Sequence, residues 1–393
     1  MIYKKILFFY PSKILGGTEV LFVRMGEFLA DKYEVFIADY KNGVYGTIVK
    51  DERVVILKIG ENKIPVDEDT IIITPPCHFE NLRLYLSISP LSKLLFWMTH
   101  PFDLLKGASM LSKFNLPHFP YRYLFKTYNR IFQYKYANFV KQLISFATKS
   151  NGFYFMDQES YILNNFLFKI NVEPKYIQIP VFTQHVNATL KSPNLKKSIN
   201  LAYLGRIEGF KMQILKYLIS DIDKLKSTII TLHIIGDGLE MEELLHYCKD
   251  FSNVKFVFTG KLYISELHSY LINNIDCLFA MGTSALEGGI LNIPTCLLDV
   301  SYTRINYKYK YKWVFETPGF VLGRILNFYR DHSENQMDLK QIIEQLELNY
   351  SNIAEKCKNY TSEYHNMIVV SEKLIGALNE CSFIYKQFES FYE

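Results

Sequence analysis

The sequence predicts an α/β protein built on parallel sheets in two domains, and three observations carry that prediction. Short continuous apolar runs recur along the chain, helix-patterned segments separate them, and a polar stretch interrupts the series near its middle. A length of 393 residues exceeds what one ordinary core organises, and 49% apolar with 21% charged residues is a globular composition.

The first series begins at Lys5–Tyr10, an unbroken apolar run of the kind expected for a strand covered on both faces. After SKILGGTEV, apolar residues at Leu21, Met25, Phe28 and Leu29 follow the i, i+4, i+7, i+8 spacing of an amphipathic helix. Glu34–Ala38, Val54–Lys58, Thr70–Thr74 and Leu94–Met98 are the next strand candidates. Residues 187–198, NATLKSPNLKKS, are polar, contain Pro193 and lack periodicity, so they read as the linker.

The second series comprises Asn200–Leu204, Thr231–Ile235, Lys255–Phe258 and Asp276–Ala280, which end at or just before Gly205, Gly236, Gly260 and Gly282. One strand-end glycine needs no more than a turn to explain it. A succession of them along one sheet edge points to a ligand, because open parallel sheets bind ligands beyond the carboxyl ends of their strands. The last segment, Ser371–Glu393, has apolar residues at Leu374, Ile375, Leu378, Phe383, Ile384 and Phe388 and reads as a helix.

A formal net charge of +4 argues against a dedicated nucleic-acid binder. Cys77, Cys248, Cys277, Cys296, Cys357 and Cys381 show no metal-ligand or redox spacing, which suits free thiols in a reducing compartment. The apolar run at the N-terminus is too short for a signal-peptide core, and no stretch approaches the roughly 18 residues of a membrane span. From Leu104 to Met156 there is no Asp or Glu, while Lys106, Lys113, Arg122, Lys126, Arg130, Lys135, Lys141 and Lys149 interleave with aromatic residues from Phe119 to Phe139. That pattern suits either an anionic membrane surface or a solvated basic face over an aromatic core.

Three elements of the second series carry the chemistry. In LAYLGRIEGFK, Arg206 follows a strand and Lys211 opens the next helix, which brings cations and backbone N–H groups to one place, as a diphosphate requires. In LHIIGDGLEMEELL, a Gly236-Asp237-Gly238 turn precedes a helix, with Asp237 equally readable as a turn residue. In LFAMGTSALEGGILNIPTCLL, Thr283 and Ser284 are placed to cap a helix and Glu287 to accept ribose hydroxyls.

In this order, Gly205-Arg206…Lys211, Gly236-Asp237-Gly238, Val257-Phe258-Thr259-Gly260 and Glu287…Asn292-Ile293-Pro294 resemble the motif series of GT-B glycosyltransferases, in particular the large retaining family numbered four. Gly16-Gly17-Thr18-Glu19 is similar to that family's glycine loop, and Trp97-Met98-Thr99-His100 to its strand ending in a donor-facing histidine. The resemblance covers nearly the whole chain, strongly over 199–299 and loosely over 40–185. It implies two Rossmann-like domains facing across a cleft: an acceptor-side domain over 1–186 and a nucleotide-sugar domain over 199–370. A C-terminal helix over 371–393 would return to the first.

The implied activity is metal-independent hexosyl transfer from a nucleotide-diphosphate sugar to a glycan or lipid-linked acceptor, in surface-polysaccharide synthesis of the bacterial type. Cofactors are not implied. His100 would be catalytic, with Gly16, Gly17, Arg206, Lys211, Gly236, Gly238, Thr283, Ser284 and Glu287 holding the donor. The expected location is cytoplasmic and peripheral at the inner face of the cell membrane, through residues 104–156. Three departures stand out: Phe279 falls where the first glutamate of the family's pair is expected, Met212 where a glycine is, and Leu239 where a proline is. The missing glutamate at Phe279 keeps open a non-catalytic scaffold in a glycan-assembly complex; a nucleotide-sugar epimerase of the same fold is the other alternative and gains nothing from that loss. His78, after Pro75-Pro76-Cys77, rivals His100.

Overall fold

The computed structural model describes residues 4–106, 120–181, 198–226, 229–328 and 336–392. The linker up to Lys197, the expected boundary at 186, and Lys113, Phe119 and the Tyr121 side chain of the basic stretch lie outside them. The chain divides into two compact units. The first comprises Met1–Ala108, Phe125–Pro180 and Met367–Glu393, and the second Ser109–Leu124 and Val181–Asn366.

The strands of the first unit are β1 (Lys5–Phe9), β2 (Glu34–Tyr40), β3 (Val54–Ile59), β4 (Ile64–Val66), β5 (Thr70–Thr74), β6 (Leu86–Ile88), β7 (Lys93–Met98) and β8 (Phe153–Phe155). Six of them form a parallel sheet in the order β3-β2-β1-β5-β7-β8, and β4 and β6 pair separately. The second unit contains β9 (Ile199–Leu204), β10 (Ile230–Ile235), β11 (Val254–Gly260), β12 (Cys277–Ala280), β13 (Thr295–Leu297) and β14 (Lys312–Trp313), in the order β11-β10-β9-β12-β13-β14. Only β14 among these runs antiparallel to its neighbour.

Every strand candidate of the sequence is a strand, and for the central strands the covering of both faces explains why. Ile6–Phe9, Ile71–Ile73, Leu94–Met98, Leu201–Tyr203 and Cys277–Ala280 are all buried, so alternate positions have no polar side. β8, β13 and β14 are too short to show a period, and sequence reasoning passes over them.

Numbered within its own sheet, each unit has strand order 3-2-1-4-5-6. Connections leave in opposite directions from the first and fourth strands of that order, which opens a crevice at their carboxyl ends. In the first unit that switch point lies between β1 and β5, and in the second between β9 and β12. Among the described residues no helix is long and apolar enough to cross a membrane.

The expected single helix over 371–393 is instead two, Met367–Glu380 and Tyr385–Glu389. Between them the chain is extended, because β8 covers only the carboxyl half of β7 and leaves the buried Leu94 N–H without a strand partner. The Phe383 carbonyl accepts that N–H at 2.9 Å, and Ile384 bridges Lys93 antiparallel. Phe383 and Phe388 are fully buried beside Phe96, so the C-terminal segment completes the first unit. Phe388→Ala is expected to lower the stability of this unit by about 3–5 kcal/mol in denaturant titration, since it opens a ring-sized cavity.

Candidate functional site

In the second unit, β12 pairs with β9 so that Ala280 lies opposite Leu204. The residues that follow, Met281–Gly282 on one strand and Gly205–Arg206 on the other, are therefore neighbours at the switch point. Arg206 is exposed, and its Nη1 lies 3.3 Å from Oε2 of Glu208, the residue that precedes the Gly209–Asp223 helix. Lys211 stands in the first turn of that helix and makes no ion pair among the described residues. Burial, and after it the Arg206 guanidinium, pushes the Lys211 amine down to about 8.

The loops after β9 and β10 interlock. Gly205 N–H donates to the Ile235 carbonyl, Ile207 N–H to Asp237, and Glu240 N–H to Ile207. A Cβ on Gly236 would lie 2.0 Å from the Gly205 carbonyl oxygen, and one on Gly238 2.2 Å from that of Ile207. Close approach to the Arg206 loop thus accounts for both glycines from within the protein. Asp237 accepts the N–H of Gly238 and is a turn residue.

The Thr283–Ile290 helix begins at once after β12. Its N-cap is Gly282 at φ +59°, a conformation open to glycine, so Thr283 and Ser284 occupy the first helical turn rather than the capping position. No side chain caps the helix. The N–H of Gly282 reaches the Leu322 carbonyl and that of Ala285 reaches Gly282, while those of Thr283 and Ser284 have no hydrogen bond among the described residues. Free N–H groups at the positive end of a helix, one strand away from Arg206, suit an anion. Glu287, 9% exposed, faces His268 with Oε2 2.7 Å from Nε2.

The departures acquire physical reasons. Phe279 lies inside β12, fully buried, with its ring edge-on to Tyr311, so the expectation of a sugar-facing position there is wrong. The turn between strand and helix is only Met281–Gly282. Met212 is part of the core, and Leu239 is 96% exposed. Asn292, in the turn after the helix, takes φ +60°, which asparagine tolerates better than most residues.

The first unit carries its own cluster at the carboxyl edge. Gly16 and Gly17 open the Gly17–Leu29 helix, and a Cβ on Gly17 would meet nothing within 4 Å, so internal packing does not call for glycine there. The Gly16 N–H donates to Glu19 at 2.9 Å, and the hydroxyls of Thr18 and Thr99 lie 3.3 Å apart. His100 accepts the Phe102 N–H on Nδ1, which places the ring proton on Nε2. Part of the ring is exposed, yet desolvation pushes the imidazole down to about 4, so it is a neutral Nε2–H donor at neutral pH. His78 is held elsewhere, with Nδ1 2.8 Å from the Asn81 amide and its ring edge-on to Tyr10.

Sequence reasoning missed Asp103. Its Oδ2 accepts the N–H groups of Thr99 and His100 at 3.0 and 3.1 Å, while burial pushes its carboxyl up to about 7. The spacing of Asp103 three residues beyond His100 is the only signal that pointed to it. Asp103 lines a cavity of about 490 Å³ together with Cys77, Phe79, Phe102, Tyr136 and Tyr392. A larger hollow of about 710 Å³ in the second unit, by Tyr217, Arg304 and Asp338, contains none of the nominated residues. The two Asp-x-Asp spacings lie away from the ligand edges: Asp67 and Asp69 pair with Lys5 at the start of β1, and Asp221 pairs with Lys224 at the far end of its helix.

Gly238→Ala is expected to lower thermal stability and to displace the Arg206 loop. A clash with backbone cannot be relieved by a side-chain rotation, so a loss of about 2 kcal/mol or more in denaturant titration is the expected outcome.

No family model and no curated protein matches the chain. Solved structures do match over almost its full length. HepE of Anabaena, solved with UDP and glucose, is 13% identical with a TM-score of 0.57, covering 96% of this chain and 99% of its own. A glycosyltransferase of Rickettsia africae is 14% identical with a TM-score of 0.58, covering 96% and 98%. TarM is 12% identical with a TM-score of 0.59, covering 96% and 99%. With two parallel-sheet units of the same strand order, the chain has the α/β fold of the GT-B glycosyltransferases.

Proposed function

We propose that the protein is a glycosyltransferase whose second unit holds a nucleoside-diphosphate sugar and whose first unit receives a glycan or lipid-linked acceptor. The observation that carries this is the β9–β12 pairing, which sets the Arg206 turn beside the Thr283–Ser284 helix start, whose N–H groups have no hydrogen bond among the described residues, with Lys211 in the first turn of the helix after Arg206. During transfer an acceptor hydroxyl gives up its proton, which passes to a departing phosphate oxygen and on to water, and its oxygen bonds to the anomeric carbon as the bond to the diphosphate breaks. The leaving group takes the electron pair. Its added charge meets two cations and a helix N-terminus, so this chemistry can proceed without a metal. His100 donates from Nε2 to a sugar hydroxyl. The scaffold reading rests on the missing glutamate at Phe279, and the presence of both Arg206 and Lys211, which a scaffold does not need, counts against it.

The 490 Å³ cavity beside Asp103 is the acceptor recess in this reading, and its aromatic walls suit an acceptor with an apolar portion. Peripheral attachment belongs to the same proposal. Ile131, Phe132 and Tyr134 are 63%, 73% and 67% exposed next to Arg130 and Lys135, which favours an anionic membrane surface over a solvated face. Binding to vesicles containing anionic lipid, and none to zwitterionic vesicles, is the expected result in a sedimentation assay.

Arg206→Ala and Lys211→Ala are each expected to weaken UDP binding by about tenfold or more in titration calorimetry, the loss typical of a charge-assisted hydrogen bond. The pH dependence has a definite sign. Lys211 is charged below about 8, and a bound diphosphate raises that value. Affinity is therefore full below the free value and declines as pH rises through it, with a proton taken up on binding in that window. Lys211→Arg removes this dependence, and unchanged affinity in the alanine variants would refute the assignment.

A further inference from the structure

Glu287 is held from one side before any nucleotide arrives. His268, on the Ile264–Asn274 helix, is 6% exposed and places Nε2 2.7 Å from Oε2 of Glu287. Lone pairs do not face each other at that distance, so a carboxylate accepting there requires the proton on Nε2. The other oxygen, Oε1, has no hydrogen bond among the described residues. Glu287 lies one turn into the helix whose N-terminus faces the switch point.

We infer that His268 is a positioning residue for nucleotide recognition. It fixes one carboxylate oxygen so that Oε1 is left to accept from the vicinal hydroxyls of a ribose. Without that bond the carboxylate turns about its last torsion, and part of the ribose contact is lost to side-chain entropy. The inference rests on the nucleotide-sugar reading of the second unit. It adds that the preference for ribose over deoxyribose is set by a residue two elements away from the ligand. A His268 that only joined its helix to the next would affect stability and leave that preference unchanged.

The test compares the dissociation constants of UDP, 2′-deoxy-UDP and 3′-deoxy-UDP, measured by calorimetry alongside melting temperatures. The wild-type protein is expected to prefer UDP over both deoxy forms. His268→Leu should weaken UDP by about tenfold, the order of one charge-assisted hydrogen bond, and leave the deoxy forms nearly unchanged, so the preference collapses. His268→Gln retains a donor of similar reach and should restore most of the preference, whereas His268→Asn is too short and should not. If His268→Leu fails to fold, the glutamine–asparagine pair carries the comparison. A folded His268→Leu, or His268→Asn, with the wild-type preference overturns the inference. A wild-type protein that binds UDP with no ribose preference also overturns it but leaves the diphosphate contacts standing. One that binds no UDP counts against the nucleotide-sugar reading and removes this inference with it.

Discussion

The parallel pairing of β9 with β12 is the constraint on which the site depends. It places the exits of two strands side by side while their connections diverge, so the Gly205–Arg206 turn and the Gly282–Thr283 turn share one crevice. Shifting that register by one residue would turn Phe279 to the opposite face of the sheet and offset the two turns from each other. The buried runs of both strands are what prevent such a slip. Site geometry here follows from core packing.

The electrostatics of the crevice are held in tension. Arg206 is partly satisfied by Glu208, and an exposed pair of this kind is worth little, so a diphosphate can displace it at small cost. Lys211 has no such partner among the described residues, and its own burial already disfavours its charge. An incoming anion relieves that penalty, which couples ligand binding to protonation of a single amine. Glu287 is engaged on one oxygen and open on the other, in a less solvated place a turn further into the helix.

Much of this was legible in the sequence. The buried strands read directly, because both faces of a parallel sheet require apolar residues, and Arg206 and Lys211 read from their places beside a strand end and a helix start. Four features did not. Phe279 was assigned by counting back from Glu287, and counting cannot reveal that the strand–helix turn is only two residues long. Gly236 and Gly238 resemble ligand-facing glycines, yet the close approach is to the backbone of Gly205 and Ile207, which is distant in sequence. Asp103 and His268 act through partners found only in the folded chain, Thr99 and His100 for one and Glu287 for the other. The break after Glu380 depends on the N–H of Leu94, far away along the chain, which no strand neighbour accepts and the Phe383 carbonyl does.

The most direct test of the central claim is a crystal structure of the protein with UDP. The account predicts the diphosphate between Arg206 and Lys211, with its oxygens accepting from the N–H groups of Thr283 and Ser284 and the ribose against Glu287. UDP bound elsewhere, for instance in the hollow by Tyr217 and Arg304, with the β9–β12 crevice empty, would contradict it.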